Sequence, residues 1–140
     1  MIVKQVSVFV ENTVGRLADL TKILTDNNID LKASTIAETV DFGILRCIVE
    51  KPEKTVKILV ENGFSASISE VTGVSLEDKP GGLHKVLAVL AEAGIAVNYI
   101  YSTIKSAEGK AIIMMKTSDA AKAEEVLKAS GVELAGADSF

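Results

Sequence analysis

The sequence predicts an α+β protein made of two tandem βαββαβ units, each a four-stranded antiparallel sheet with two helices on one face. Three observations predict it. The chain of 140 residues is written twice. Each copy alternates between apolar spacings of period two and spacings of period 3.6. Glycine, proline and asparagine punctuate the changes from one spacing to the other. When the sequence is shifted by 66 residues, Val6–Thr35 lies over Thr72–Tyr101 without a gap. Val8/Val74, Glu11/Glu77, Gly15/Gly81, Leu17/Leu83, Leu24/Leu90 and Ile29/Ile95 are then identical, against about two identities expected from average residue frequencies. The later parts match with small gaps, Gly43–Val49 with Lys110–Lys116 and Asn62–Phe64 with Ser130–Val132. The units are expected at 1–70 and 71–140. No linker rich in Pro, Gly or Ser separates them, and Ser65–Leu76 reads as nearly continuous strand with a bend or bulge at Gly73.

In the first copy, Gln5–Val10 alternates with Val6, Val8 and Val10 on one face, which predicts a strand. Asn12-Thr13-Val14-Gly15 is a turn that opens a helix, with Asn12 or Thr13 as the expected N-cap. Leu17, Leu20, Ile23 and Leu24 recur at helical spacing, and Asn27-Asn28 stops the helix because Asn tolerates the left-handed conformation. Ile29–Ala37 is read as the second strand and Thr39–Gly43 as a turn. Ile44–Val49, apolar at most positions, is read as a central third strand. Pro52 suits the first turn of a second helix with Val56, Leu59 and Val60 on its apolar face. Gly63 ends it, and Phe64–Ser69 is the fourth strand.

The second copy repeats the order. Val74–Leu76 lies in the first strand and Asp78–Gly82 forms the turn. Leu83, Val86, Leu87 and Leu90 line a helix that Ala93-Gly94 ends. Ile95–Ile104 and Ala111–Lys116 are the next strands. Ser118 or Asp119 caps a helix with Ala123, Val126 and Leu127 facing inward, and Val132–Ala135 closes the unit. This ferredoxin-like order places both helices on one face of each sheet. The opposite face stays open within a single unit, so a neighbour is expected to cover it or to extend an edge strand.

Composition and charge exclude several classes of function. Fifteen basic and nineteen acidic side chains give a formal net charge of −4, which offers no positive field to draw nucleic acid or anionic lipid. No apolar run approaches the roughly 20 residues needed to span a bilayer, and the N-terminus lacks the charged start and apolar block of a secretory signal. With Cys47 as the one cysteine, no intrachain disulfide forms, and a cytoplasmic location is expected. Cys47 sits in an apolar run and reads as a buried small hydrophobe. His84, the one histidine, falls in the first turn of a helix and reads as a solvated residue rather than a general base. No Cys pair or His cluster suggests a metal, no phosphate-binding loop is present, and no cofactor is expected. The third strands, Gly43–Val49 and Ala111–Met115, carry none of the aromatic residues that RNA-binding proteins of this architecture need.

What remains is the turn between first strand and first helix, present twice: Glu11-Asn12-Thr13-Val14-Gly15-Arg16-Leu17 and Glu77-Asp78-Lys79-Pro80-Gly81-Gly82-Leu83. A glycine there lets a ligand approach the backbone. The helix start aims unpaired N–H groups and a partial positive charge at the same spot, which suits a small carboxylate. The glycine also has the plain use of allowing a tight turn.

The Asp-x-Pro-Gly-x-Leu turn at Asp78–Leu83, the helix after it, the Gly94-Ile95-Ala96-Val97 lead-in to the second strand and the βαββαβ order resemble the ACT domain, a small regulatory module of amino-acid metabolism. The resemblance covers nearly the whole chain as two copies. The first copy departs from it, with Val14 in place of Pro and Asn28 in place of Gly. The resemblance implies a free amino acid bound where modules meet, held by the turn of one module and the second strand of its neighbour. Carried over, the turn positions are Asn12, Thr13, Val14, Gly15, Arg16 and Leu17, and Asp78, Lys79, Pro80, Gly81, Gly82 and Leu83. The polar position at the start of the second strand is Asp30 in the first copy and Ala96 in the second, where Asn98 is a substitute. The expected protein is a stand-alone, non-catalytic, amino-acid-binding regulator, with a homodimer as its form. A pure interaction module, a separate regulatory subunit of an amino-acid biosynthetic enzyme, and a small ferredoxin-like enzyme are the rival readings.

Overall fold

The computed structural model describes residues 2–103 and 109–139. Its elements are β1 (Ile2–Glu11), α1 (Arg16–Asp26), β2 (Ala33–Glu38), β3 (Phe42–Ile48), α2 (Pro52–Glu61), β4 (Ser65–Glu77), α3 (Gly82–Glu92), β5 (Val97–Ser102), β6 (Lys110–Thr117), α4 (Ala120–Ala129), β7 (Glu133–Leu134) and a 3-10 turn at Ala137–Ser139. The chain divides into one compact unit at Lys4–Ser69 and another formed by Met1–Val3 with Glu70–Phe140. Ser65–Ser69 of β4 belongs to the first and the rest of β4 to the second. The strands run β2-β3-β1-β4 in the first unit, and β5-β6-β4 with β7 on the far side of β4 in the second. Each unit therefore has the order second, third, first, fourth, with antiparallel neighbours. Ile104, expected as the end of a strand, lies outside the described residues.

The expected alternation builds both cores. Val6, Val8 and Val10 of β1 pair with Cys47, Leu45 and Gly43 of β3, so one face of the sheet presents a continuous apolar surface. Leu20 and Leu24 of α1 and Leu59 of α2 are buried against it. In the second unit Val74 and Met115 are covered by Val86 and Leu90 of α3 and by Ala123 and Leu127 of α4. Leu83, Leu87 and Val126 pack at the margins of that core. On the other face of the first sheet, Phe9 pairs with Ile44 and Glu11 with Phe42, and both phenylalanines are exposed.

Several elements differ from the sequence reading, each for a local reason. Ile29 and Leu31 alternate as strand residues do, yet β2 begins only at Ala33. Asn28, at φ 56°, reverses the chain, and the Ile29 amide donates to Leu24 O at 2.8 Å. Both apolar side chains still reach the core from this connection. Val60 is exposed; Thr55 takes its place on the buried face of α2, where its hydroxyl donates to Lys51 O. Gly73 makes neither bend nor bulge. It stays in register opposite Met114, and a Cβ there would lie 2.3 Å from Ala135 O. Its role is to let the C-terminal segment cross closely, with the Ala135 amide donating to Gly73 O at 2.8 Å. No helix among the described residues is long and apolar enough to cross a membrane.

Candidate functional site

Both turns place the capping glycine in the same left-handed conformation, Gly15 at φ 86°, ψ −11° and Gly81 at φ 89°, ψ −12°. Asn12 and Thr13 do not cap α1, because the helix starts later than their spacing suggested. Gly15 is the N-cap and no side chain serves it. The Asn12 amide group instead donates to Thr39 O and Val40 O, tying the turn to the β2–β3 hairpin. The hydrogen bonds of the two turns correspond position by position. Thr13 N donates to Glu11 O at 2.8 Å, Arg16 N to Thr13 O at 3.3 Å and Asp19 N to Gly15 O at 2.9 Å. In the second turn Lys79 N donates to Glu77 O at 2.9 Å, Gly82 N to Lys79 O at 3.0 Å and Lys85 N to Gly81 O at 3.1 Å. Pro80 is thus not needed for this shape, since Val14 supports the same backbone. Each helix start leaves two amides, those of Leu17 and Ala18 or of Leu83 and His84, with no acceptor inside the helix.

The turns differ in what surrounds them. A cleft of about 310 Å³ beside the first is lined by Val10, Glu11, Asn12, Thr13 and Leu17 on the turn side and by Ile36, Glu38 and Gly43 on the hairpin. Its charged walls are two carboxylates. The Arg16 guanidinium lies 3.9 Å from the centre of the Phe64 ring and near Asp19, a cation–π contact on the start of the helix. A cleft of about 260 Å³ beside the second turn runs between α3 and β7. Lys79 pairs with Glu77 at 2.5 Å and Lys110 with Glu133 at 2.5 Å along its walls. Lys79 holds the Glu77 carboxyl below the usual carboxylate range through its hydrogen bond and then its charge, and Lys85 and Lys110 add to the effect.

The structure therefore gathers Asn12, Thr13 and Leu17 at one cleft and Lys79 and Gly82 at the other. Val14 is fully exposed, and Asp78 donates its amide to Gly109 O. Asp30 lies elsewhere in its own unit. It precedes β2 and lines a third cleft with Asn27, Asn28, Glu50, Lys51 and Lys54. That cleft and the turn flank opposite ends of α1, about 16 Å of helix. Asn98 is an exposed residue of β5, at the register irregularity between Val97 and Tyr99. Sequence reasoning missed Ile36 and Glu38, which only the β2–β3 pairing brings to the turn, and Lys85, Lys110 and Glu133. The signal that could have found the second set is the doubled glycine Gly81-Gly82 where the first copy has Gly15-Arg16.

Cys47 and His84 line neither of these clefts. Cys47 is buried, and burial pushes its thiol up to about 12. His84 is exposed on α3. No group of three or more His, Cys, Asp or Glu among the described residues is placed to hold a metal ion.

A family model for the ACT domain pair matches residues 1–138. Among solved structures, the chain is similar to protein BT0572 from Bacteroides thetaiotaomicron, with 42% identity and a TM-score of 0.92 over 99% of this chain and 95% of that one. It is also similar to the regulatory subunit of aspartate kinase from Thermus thermophilus, with 17% identity and a TM-score of 0.68 over 91% and 90% of the two chains. The corresponding subunit from Thermus flavus gives 15% and 0.64 over 91% and 90%. At these lower identities the likeness is one of fold. No curated protein matches the chain.

Proposed function

The chain belongs to the ACT domain pair family, a regulatory rather than a catalytic module, and from that premise we propose that it binds a free amino acid at its glycine turns and acts as a sensor or regulator. The observation that carries this reading is the duplicated turn. A left-handed glycine opens each helix, a cleft borders each helix start, and two unpaired amides stand ready for a carboxylate. In the first cleft Glu11 and Glu38 would receive the ammonium, while Val10, Leu17 and Ile36 offer apolar walls. Regulation follows where the ligand favours one state over another. The state proposed is a homodimer, in which a second copy covers sheet surface or edge strands that one chain leaves open.

Calorimetric titration with the twenty common amino acids tests the binding. Saturable heat with at least one of them, and a matching rise in Tm, is expected. No heat and no shift with any of them would remove the proposal. Sedimentation with and without the ligand tests the assembly step. A second form of the proposal has the chain act on a separate biosynthetic enzyme, the role named in the Thermus regulatory subunits whose fold it shares. Retention of such an enzyme on the immobilised chain would establish it.

A further inference from the structure

The position after each capping glycine is Arg16 in one unit and Gly82 in the other, and the residue across from it is Phe64 in one and Val132 in the other. In the first unit the guanidinium of Arg16 covers the Phe64 ring. In the second, a glycine and a valine replace that pair, and the cleft between α3 and β7 occupies the vacated side of the helix start, with Gly82 and Val132 in its lining. Gly82 is held to this choice, because a Cβ on it would lie 2.2 Å from Glu77 O. The cleft's volume of about 260 Å³ is well above what a single water needs and leaves room for a ligand the size of a small amino acid.

The charges of this cleft are unequal. Lys79, Lys85 and Lys110 face Glu77 and Glu133, three ammonium groups against two carboxylates. Lys79 and Lys110 are paired. Lys85 takes part in no ion pair among the described residues, which leaves one ammonium in excess beside the free amides of α3. An amino acid with an acidic side chain has the complementary pattern, two carboxylates and one ammonium. The first unit's cleft has the reverse bias, with Glu11 and Glu38 and no basic side chain in its lining.

We propose that the cleft between α3 and β7 is a site for an acidic amino acid, and that the two turns of this chain take ligands of different charge class. One carboxylate meets the helix start, the second meets Lys85, and the ammonium meets Glu77 or Glu133. This rests on the reading that the turns bind amino acids, and the test separates the two.

The full chain is titrated by calorimetry with aspartate, glutamate, leucine and succinate, the last being a dicarboxylate without an ammonium group. The titration is repeated on Lys85→Glu and on Lys54→Glu, a control in the cleft around Asp30. Both lysines are exposed, so both variants should fold, and their Tm values check it. The expected result is that aspartate or glutamate binds more tightly than leucine at this cleft. Lys85→Glu weakens that binding by about tenfold or more, Lys54→Glu leaves it unchanged, and raising salt from about 0.05 to about 0.5 M weakens it further. Acidic amino acids binding no better than leucine, or an unchanged affinity in folded Lys85→Glu, would overturn the proposal. If leucine binds while both acidic amino acids and succinate fail, this inference falls and the proposed function stands. If succinate binds in a Lys85-dependent way while no amino acid does, the anion site stands and the proposed function falls.

Discussion

The two glycine turns of this protein share a backbone and differ in chemistry. Their φ and ψ values agree within a few degrees, and their hydrogen bonds correspond one for one. Yet one carries Arg16 packed on Phe64 beside a cleft walled by two glutamates. The other carries Gly82 pressed on Glu77 O beside a cleft with three lysines. Backbone geometry follows from the glycine and the helix start, which both copies keep. Ligand preference follows from the side chains around them, which the copies do not share.

The comparison breaks most sharply at the position after the capping glycine. Gly82→Ala forces a Cβ into the Glu77 carbonyl and is expected to cost about 2–3 kcal/mol, the scale of overpacking. Arg16→Gly, which makes the first turn resemble the second, loses the cation–π contact, the exposed ion pair with Asp19 and some helix propensity, about 1–2 kcal/mol in all. Denaturant unfolding of both variants measures the difference. Equal losses would show that the two helix starts are packed alike. Next in size, Gly15→Ala and Gly81→Ala meet no neighbouring atom, so their penalty is that of left-handed backbone alone, about 1–2 kcal/mol each. The two values should agree. A large inequality would mean that Pro80 stiffens its turn in a way the matching dihedrals do not reveal.

Smaller still, Val14→Pro transfers the second turn's proline into the first. Val14 is fully exposed, and the same backbone accepts proline at position 80. Stabilisation by about 0.4–1 kcal/mol is expected from the loss of unfolded-state freedom, read as a rise in denaturation midpoint. Destabilisation would show that the turns differ around Thr13 and Val14. The smallest effect concerns charge. Lys79, with help from Lys85 and Lys110, depresses the folded-state titration of Glu77. Stability from this source is present above the unfolded carboxylate range and fades as pH falls through the depressed folded value. Glu77 is exposed, so screening keeps the effect small. Lys85→Glu should move the Glu77 titration back upward, which carboxyl NMR can follow, and salt should diminish the shift.

The sequence was legible where spacing and burial coincide. Val6, Val8 and Val10 alternate because one face of β1 is buried, and Gly63, Gly94 and Asn28 end helices as their left-handed tolerance predicts. It was least legible where two signals compete. Ile29 and Leu31 alternate because both reach the core, though they lie in a connection rather than a strand. Asn12 has the chemistry of an N-cap, but its side chain is used on the hairpin carbonyls. Gly73 looks like a bend because a strand seldom carries glycine, while its cause, the Ala135 carbonyl, lies sixty-two residues later in the chain. The turns themselves were found from the repeat. Their surroundings were not, because Ile36, Glu38 and Lys110 reach them only through strand pairing that no local pattern encodes.

The claim that both turns hold a zwitterion by its carboxylate is tested most directly by amide NMR during titration with a bound amino acid. The amides of Leu17 and Ala18, of Leu83 and His84, or of both pairs should move downfield and saturate with the calorimetric affinity. Saturating shifts confined to other places, such as the Asn27–Asp30 cleft, with these four amides unmoved, would contradict the account.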